Sequence, residues 1–273
     1  MLDTNIGFIG GGNMARSLIG GLISSGVKPT SIYAADKNND TLAALASDFA
    51  IQTCTDNQQL VDNCSIIMLS VKPQVMKEVV TTLDIAAKTD VMFITVAAGI
   101  RVDSIQDWLG QQVAIVRAMP NTPALVQTGA TALYANPSTS DEQKQAAESI
   151  LRAVGLALWV EDESQMDAVT ALSGSGPAYL FLVMEAMEEA GVKLGLKQET
   201  ARLLAIQTAF GAARLALEIE ESPATLRERV TSPGGTTEQA LRVFAESELK
   251  SIFNQAMMAA RDRATQLADE LGK

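Results

Sequence analysis

The stretch "IGFIGGGNMARSLIGGLISSG" (residues 6–26) decides the fold of the first part of this chain. A short apolar run typical of a buried strand ends in three glycines, and a segment with helical spacing follows. A buried strand does not need such an ending, whereas a backbone that another molecule must approach closely does. Gly10, Gly12 and Ala15 match the pattern G-x-G-x-x-G/A between the predicted strand and the predicted helix.

In this context the pattern predicts a binding site for the pyrophosphate of a dinucleotide. Gly10 permits the tight turn, Gly12 lets the pyrophosphate reach the backbone, and Ala15 keeps the helix close to the sheet. The amide groups at the start of the helix then face the anion.

Asp36 ends the second predicted strand, where an acidic side chain accepts hydrogen bonds from the ribose hydroxyls of NAD and repels a 2′-phosphate. Lys37 is adjacent and partly offsets that repulsion. The sequence therefore favours NADH and leaves NADPH open.

The first 160 or so residues alternate short Ile- and Val-rich runs with longer segments of helical spacing, which predicts a mainly parallel sheet covered on both faces. Strands are predicted over Ile6–Gly10, Ser31–Ala35, Ile66–Val71, Val91–Ala97 and Val113–Arg117. Helices are predicted over Met14–Ser25, Asn39–Phe49, Gln74–Ala87 and Val102–Leu109. A further strand, helix and strand are expected in "ATALYA" (130–135), Asp141–Ala153 and "LALWVED" (156–162).

Beyond about residue 163 the strand-like runs vanish and the remaining segments predict helices alone. One long helix is expected to be interrupted at Gly174–Pro177 and to end near Gly191. In the last helix an apolar stripe is predicted over Leu249, Phe253, Met257, Ala260, Ala264 and Leu267. Helices this apolar would leave exposed apolar faces in a small bundle, so a dimer interface is expected here.

A second glycine loop, "TSPGGTT" (231–237), lies within the helical part. Thr236 followed by Gln239 predicts a capping box, with a helix that starts at Thr236 or Thr237. Glycines before a helix start form an anion site that suits a small carboxylate substrate, and an ordinary capped helix is the alternative.

Composition excludes several classes of function. A net charge of −11 argues against a nucleic-acid partner, and no membrane span or secretory signal is indicated, so a cytoplasmic location is expected. The chain has no histidine, which removes Ser-His-Asp and Cys-His catalysis and His-ligated zinc. Cys54 and Cys64 are expected to be reduced and buried, and no metal site is expected.

The motifs "IGFIGGGNMA", "SVKP", "AAGI", "RAMPNTPA", "SGSGPAY" and "SPGGTT" occur in an order and spacing that resemble pyrroline-5-carboxylate reductases across essentially the whole chain. The resemblance implies reduction of Δ1-pyrroline-5-carboxylate to L-proline by NADH or NADPH, the last step of proline biosynthesis. It implies an α/β fold with an N-terminal Rossmann domain (1–163) and a C-terminal all-α dimerisation and substrate-binding domain (164–273). It also implies a homodimer, with assembly into decamers in some relatives.

The resemblance also implies roles for particular residues. The cofactor would be held by residues of the glycine loop and of the strand ends, namely Gly10, Gly12, Asn13, Met14, Ala15, Asp36, Lys37, Asn57, Ser70, Val71, Lys72, Pro73, Ala97, Ala98, Gly99 and Asn121. The substrate would be held by Met119, Pro120, Ser232, Gly234, Gly235, Thr236 and Thr237, with the second glycine loop supplied by the partner subunit. Thr237 and Glu220 are the candidate catalytic residues, and Thr237 is expected to orient the substrate at its ring nitrogen.

Two alternatives remain. The first is a β-hydroxyacid-dehydrogenase-like oxidoreductase, which shares the two-part layout. Such enzymes resemble one another in using a lysine on a helix as the acid/base, and the predicted helical segment Ser173–Ala190 contains no lysine. A non-catalytic NAD(H) sensor would keep the first domain without needing the second glycine loop.

Overall fold

The amino-terminal part is built on one eight-stranded sheet. A computed structural model describes residues 4–88 and 90–273. The strands, in chain order, are β1 (Ile6–Ile9), β2 (Ile32–Ala35), β3 (Gln52–Cys54), β4 (Ile66–Leu69), β5 (Met92–Thr95), β6 (Ala114–Met119), β7 (Gly129–Ala135) and β8 (Gly155–Trp159). Their order across the sheet is β3-β2-β1-β4-β5-β6-β7-β8, and all neighbours are parallel except β6 and β7. The prediction of a mainly parallel sheet is confirmed.

The central strands are apolar along their whole length because both faces of the sheet are covered. Every residue of β1, β4 and β5 is buried. Alternate side chains enter opposite cores, since Phe8 belongs to one apolar cluster and its neighbour Ile9 to the other. Complete burial of one such side chain stabilises the fold by about 2 kcal/mol.

Six helices accompany this sheet in the first part of the chain. They are α1 (Asn13–Ser24), α2 (Asn39–Phe49), α3 (Asn57–Asn63), α4 (Pro73–Val80), α5 (Val102–Leu109) and α6 (Asp141–Arg152). Local chemistry sets several of their ends. The side chain of Asn38 accepts a hydrogen bond from the amide of Asp40 at the start of α2, and Ala50 ends that helix in a left-handed conformation.

The prediction of a helix over Gln74–Ala87 was too long. The structure ends this helix, α4, at Val80, and the hydroxyl groups of Thr81 and Thr82 donate to carbonyls of the last turn. The segment that follows is held as a loop because the side chain of Gln58 accepts from the amide of Asp84 and donates to its carbonyl.

One strand and one helix were missed. The edge strand β3 has polar, exposed residues, so it carries no apolar run. The helix α3 is only seven residues long, and its signal is the side chain of Asp56, which caps it by accepting from the amide of Gln58. Both elements come from a segment whose pattern is too short to predict them.

The chain divides into two compact units. The first contains the residues up to Ser175 together with Ala259–Lys273, and the second is Gly176–Met258. The predicted domain boundary between residues 163 and 164 stays a prediction, and in the structure the segment 164–175 belongs to the unit that contains the sheet.

Beyond β8 the described residues form only helices, as predicted. They are α7 (Gln165–Val169), a π-helical turn (Thr170–Gly174), α8 (Gly176–Lys193), α9 (Gln198–Glu218), α10 (Pro223–Arg229), α11 (Thr236–Glu246) and α12 (Leu249–Leu271). The π-turn marks the predicted interruption before Pro177. On α12 the predicted stripe is the less exposed face from Phe253 onward, whereas Leu249 is exposed. Within the described part of the chain, no helix is long and apolar enough to cross a membrane.

Candidate active site

The first glycine loop has one glycine that the fold requires and one that leaves space. Gly10 has φ +97°, and a Cβ placed there would lie 2.8 Å from the carbonyl oxygen of Ser70. A Cβ placed on Gly12 would meet nothing within 4 Å. Gly12 is also the N-cap of α1 and provides no side chain to its first turn, so the amides of that turn are open to an external anion.

Asp36 follows β2 and is tied to this loop. One of its carboxylate oxygens, Oδ2, accepts from the amide of Gly11 at 2.8 Å, and the other, Oδ1, accepts from the amide of Asn38 at 2.8 Å. The carboxylate is therefore fixed between the loop after β1 and the start of α2, where a ribose would lie beside a pyrophosphate on α1. Lys37 points away into an exposed ion pair with Glu78, 3.0 Å apart.

The loop after β4 lies directly beside the glycine loop. The amide of Ser70 donates to the carbonyl of Ile9, and Lys72 and Pro73 begin α4. The hydroxyl oxygen of Ser70 is buried and has no hydrogen-bond partner among the described residues. A buried polar atom without a partner is costly, which suits a position that a polar ligand completes. Asn57, predicted at the adenosine half, is the first residue of α3.

The loop after β5 contains Ala97, Ala98 and Gly99. The amide of Ala97 donates to the hydroxyl of Thr95 at 3.2 Å, and Gly99 is buried with φ +73°. A Cβ on Gly99 would lie 3.4 Å from that of Leu267, so this loop packs against the end of α12.

The loop after β6 meets the π-turn. Asn121 donates from its side chain to the carbonyl of Ser173 at 3.0 Å and accepts from the amide of Ala130 at 2.9 Å. A Cβ on Gly174 would lie 2.5 Å from the terminal carbon of Met119. The motifs "MPNTPA" and "SGSG", separated in sequence, are thus joined in the first unit, and the side-chain amide of Asn121 is occupied by backbone partners.

A buried arginine nearby was missed by sequence reasoning. The side chain of Arg117 on β6 is only 4% exposed, and its Nη1 lies 2.9 Å from Oε1 of Glu163. Its Nη2 lies 3.8 Å from a carboxylate oxygen of Asp167. Burial raises the pKa of Tyr134, and the negative charge of Glu163 acts in the same direction. An arginine inside a strand of an otherwise apolar sheet is the sequence signal that could have found this cluster.

The second glycine loop lies in the second unit and is exposed. The predicted helix start is confirmed, because α11 begins at Thr236. The predicted capping box is wrong, since the N-cap is Gly235 and no side chain caps the helix. Instead Glu238 accepts from the amide of Gly234 at 2.9 Å, and Gly234 has φ +72°. The preference for acidic side chains in a first helical turn was the signal for Glu238.

Glu220 lies exposed between α9 and α10. Its neighbour Glu221 pairs with Arg229 at 2.5 Å, which ties the two ends of α10 together. The structure thus places Glu220 in the same unit as the second glycine loop.

The long helices of the second unit expose large apolar side chains. Over the whole of α8 and α9 only Ala201 and Ala205 are buried. Phe181 is 63% exposed, Leu203 61% and Phe210 55%, a surface that a monomer in water would not favour.

The two cysteines are free thiols. Burial raises the pKa of Cys64 to about 12, and burial also raises the pKa of Cys54. Both thiols are therefore protonated near neutral pH. Cys64 is buried as expected, whereas Cys54 is only partly buried, so the expectation of burial was wrong for Cys54.

Taken together, a doubly wound sheet, an open glycine loop at its carboxyl edge and a second glycine loop on an apolar helical unit define a nicotinamide-dependent oxidoreductase that forms oligomers. The family model described as pyrroline-5-carboxylate reductase dimerisation matches residues 163–267. A second family model, described as NADP oxidoreductase, coenzyme F420-dependent, matches residues 5–99. The chain belongs to the pyrroline-5-carboxylate reductase family.

Similar proteins cover the whole chain. A pyrroline-5-carboxylate reductase from Pseudomonas aeruginosa is 50% identical over 273 residues, which is 100% of both chains. The solved structure of such a reductase from Coxiella burnetii is 48% identical, with a TM-score of 0.94, and covers 97% of this chain and 98% of that one. The structure of the Plasmodium falciparum pyrroline carboxylate reductase with NADP bound is 27% identical, with a TM-score of 0.85, over 98% and 99% of the two chains.

Proposed function

We propose that this chain reduces Δ1-pyrroline-5-carboxylate to L-proline with NAD(P)H, the last step of proline biosynthesis. The observation that carries the proposal is a match to reductases of this name over the full length of the chain, including both compact units. A protein that only bound NAD(H) would need the first unit, whereas the likeness extends equally through the second.

The first unit suits the cofactor. Gly12 leaves open space where a pyrophosphate would lie, the first turn of α1 offers its amides, and the buried hydroxyl of Ser70 lacks a partner among the described residues. Asp36 stands where the adenosine ribose would bind. These residues, with Asn13, Met14, Ala15, Asn57, Val71, Lys72, Pro73 and the loop Ala97–Gly99, are proposed to bind the cofactor.

The cofactor, when bound, supplies a hydride. A cyclic imine can enter already protonated at nitrogen, so hydride transfer yields the neutral amine and no oxyanion develops that needs a proton donor. A chain without histidine suits this reaction. The protein's task is to hold the imine carbon against the reactive carbon of the nicotinamide and to keep water out.

The second glycine loop is proposed to bind the substrate. The first turn of α11, which begins at Thr236 and has no side-chain cap, offers its backbone amides to a carboxylate. The amides of Gly234 and Gly235 hold the shape of the loop instead, because they donate to the side chain of Glu238 and to the carbonyl of Ser232. We assign Thr237 to the ring nitrogen as an orienting hydroxyl, with Ser232, Thr236, Met119 and Pro120 completing the site. The loop is proposed to serve the cofactor held by the other subunit, and Glu220 to lie near it.

The family model names a dimerisation region, so the chain forms homo-oligomers through its helical part. The exposed apolar faces of α8 and α9 support a homodimer. Further assembly into a decamer is proposed from the sequence resemblance. A cytoplasmic location is proposed from the reduced, unpaired cysteines.

The test is to follow the absorbance of the reduced nicotinamide, with NADH and with NADPH in separate assays. Each assay is run with pyrroline-5-carboxylate and, as a control, with the cofactor alone. Consumption that depends on the imine, with L-proline as the product, is expected. Binding of NADH without consumption would favour the sensor, and oxidation of 3-hydroxy acids with NAD would favour the hydroxyacid dehydrogenase.

A further inference from the structure

The buried ion pair of Arg117 and Glu163 connects three parts of the first unit. Oε1 of Glu163 accepts from Nη1 of Arg117 at 2.9 Å and also from the backbone amide of Val102, the first residue of α5, at 2.9 Å. A carboxylate from the segment after β8 therefore caps the helix that follows the Ala97–Gly99 loop. Arg101, the N-cap residue of α5, does not cap this helix with its own side chain.

The strand that carries Arg117 borders the other end of that loop. Arg117 on β6 is directly paired with Thr95, the last residue of β5, and the hydroxyl of Thr95 accepts from the amide of Ala97. One end of the loop that contains Ala97, Ala98 and Gly99 is thus held by the side chain of Glu163, and the other end follows a strand that pairs with the strand of Arg117.

The Ala97–Gly99 loop also packs against α12, and Asp167, which faces Arg117, forms a hydrogen bond to that helix. Oδ2 of Asp167 accepts from the hydroxyl of Thr265 on α12 at 2.8 Å, while the other carboxylate oxygen faces Arg117. Two and three residues further along α12, Leu267 and Ala268 lie against Gly99.

Burial makes this arrangement costly for fold stability alone. The side chains of Arg117, Glu163 and Asp167 are 4%, 18% and 16% exposed, and replacing such a pair by apolar residues is often neutral or stabilising. Glu163 caps the helix at one end of the loop, and Arg117 lies between Glu163 and Asp167, whose carboxylate bonds to the helix behind the loop. This placement points to positioning.

We propose that Arg117 and Glu163 are positioning residues for the Ala97–Gly99 loop and that they set the affinity of the enzyme for its reduced nicotinamide cofactor. This inference rests on the proposed function, because that function assigns the loop to the cofactor site. The proposal places neither residue in contact with the cofactor, so their effect would pass through the position of the loop.

Two variants and one control test the proposal. Glu163→Gln keeps the shape and a hydrogen-bond acceptor but loses the charge. The double variant Arg117→Met with Glu163→Leu removes both members of the ion pair together, and Asp167 keeps the hydroxyl of Thr265 as a hydrogen-bond partner. The control is Glu161→Gln, the same change two residues earlier at an exposed position.

Fluorescence titration of the full chain measures the dissociation constant for NADH. We expect this constant to rise about tenfold in the double variant and by a smaller factor in Glu163→Gln. The reason is that a loop displaced by a fraction of an ångström loses aligned contacts with the cofactor. The KM for NADH should rise with it, the KM for pyrroline-5-carboxylate should stay near wild type, and the control should be unchanged. NADH affinity at the wild-type level in every folded variant would overturn the proposal. If wild-type protein binds NADH but reduces no imine, the proposed function fails while the titration still decides the positioning role.

Discussion

The carboxylate of Asp36 accepts a hydrogen bond from the backbone amide of Gly11 at 2.8 Å. The end of β2 is thereby tied to the loop after β1, and a negative charge is fixed beside the predicted ribose site. The relationship has a direct consequence for the choice between NADH and NADPH.

Asp36→Ser should shift the cofactor preference toward NADPH. The change removes a charge that repels the 2′-phosphate and an acceptor for the ribose hydroxyls of NADH. The ratio of kcat/KM for NADPH to that for NADH is expected to rise by about tenfold or more. Asp40→Asn, on the exposed first turn of α2, is the control. An unchanged ratio in Asp36→Ser would show that this carboxylate does not contact the ribose.

Two glycines of one loop should separate folding from binding. Gly10→Ala is expected to lower the free energy of unfolding by about 2 kcal/mol, because a side chain is unfavourable at φ +97° and its Cβ would clash with the carbonyl of Ser70. Gly12→Ala meets open space in the protein, so thermal stability should be retained while the KM for the cofactor rises. Equal losses of stability in the two variants would contradict this division.

Thr237→Ala should damage turnover without affecting cofactor binding. A hydroxyl that orients the imine contributes to kcat/KM, and a loss of about tenfold or more is expected, with NADH affinity unchanged. Thr237→Ser keeps the hydroxyl and should restore most of the activity. Full kcat/KM in the alanine variant, measured with saturating cofactor, would remove Thr237 from the proposed site.

Charged residues on the apolar helices should disrupt assembly. Phe181 on α8 and Leu203 on α9 are well exposed, and an aspartate at either position would place an unpaired charge in a buried interface. Size-exclusion chromatography with light scattering is expected to show smaller species for Phe181→Asp and Leu203→Asp. Arg214→Gln, which removes only an exposed ion pair with Glu218, should elute as wild type. Wild-type elution of both aspartate variants would place the interface elsewhere.

The buried thiol of Cys64 should make stability fall at alkaline pH. Its pKa is raised by burial from 9.0 to about 12, so in the unfolded chain it releases its proton at lower pH than in the folded one. Its contribution is complete below about pH 9 and is lost as the pH rises toward about 12. Urea unfolding across this range should show a smaller loss for Cys64→Ala than for wild type. Identical pH slopes would mean that the thiol is accessible in the folded protein.

Strong local patterns predicted most of the sheet and the glycine loop that follows its first strand. The runs that became β1, β4 and β5 are apolar because both faces are covered, and that requirement is visible in the sequence itself. The polar edge strand β3 escaped because solvent-exposed pairing leaves no apolar signature. The capping box was wrong because the N-cap is Gly235, one residue before Thr236, so the side chain that turns back to the loop is that of Glu238 and not that of Gln239.

The sequence by itself determined the sheet, the two glycine loops, the all-helical second part and an apolar surface suited to another subunit. These follow from backbone freedom at glycine and from the periodicity of apolar residues, which are properties of short segments. Only the tertiary structure decided that Asp36 bonds to Gly11, that Asn121 joins the π-turn, and that Arg117 pairs with Glu163. These contacts join residues 25, 52 and 46 positions apart, and such partners become neighbours only when the sheet and its crossovers bring them together.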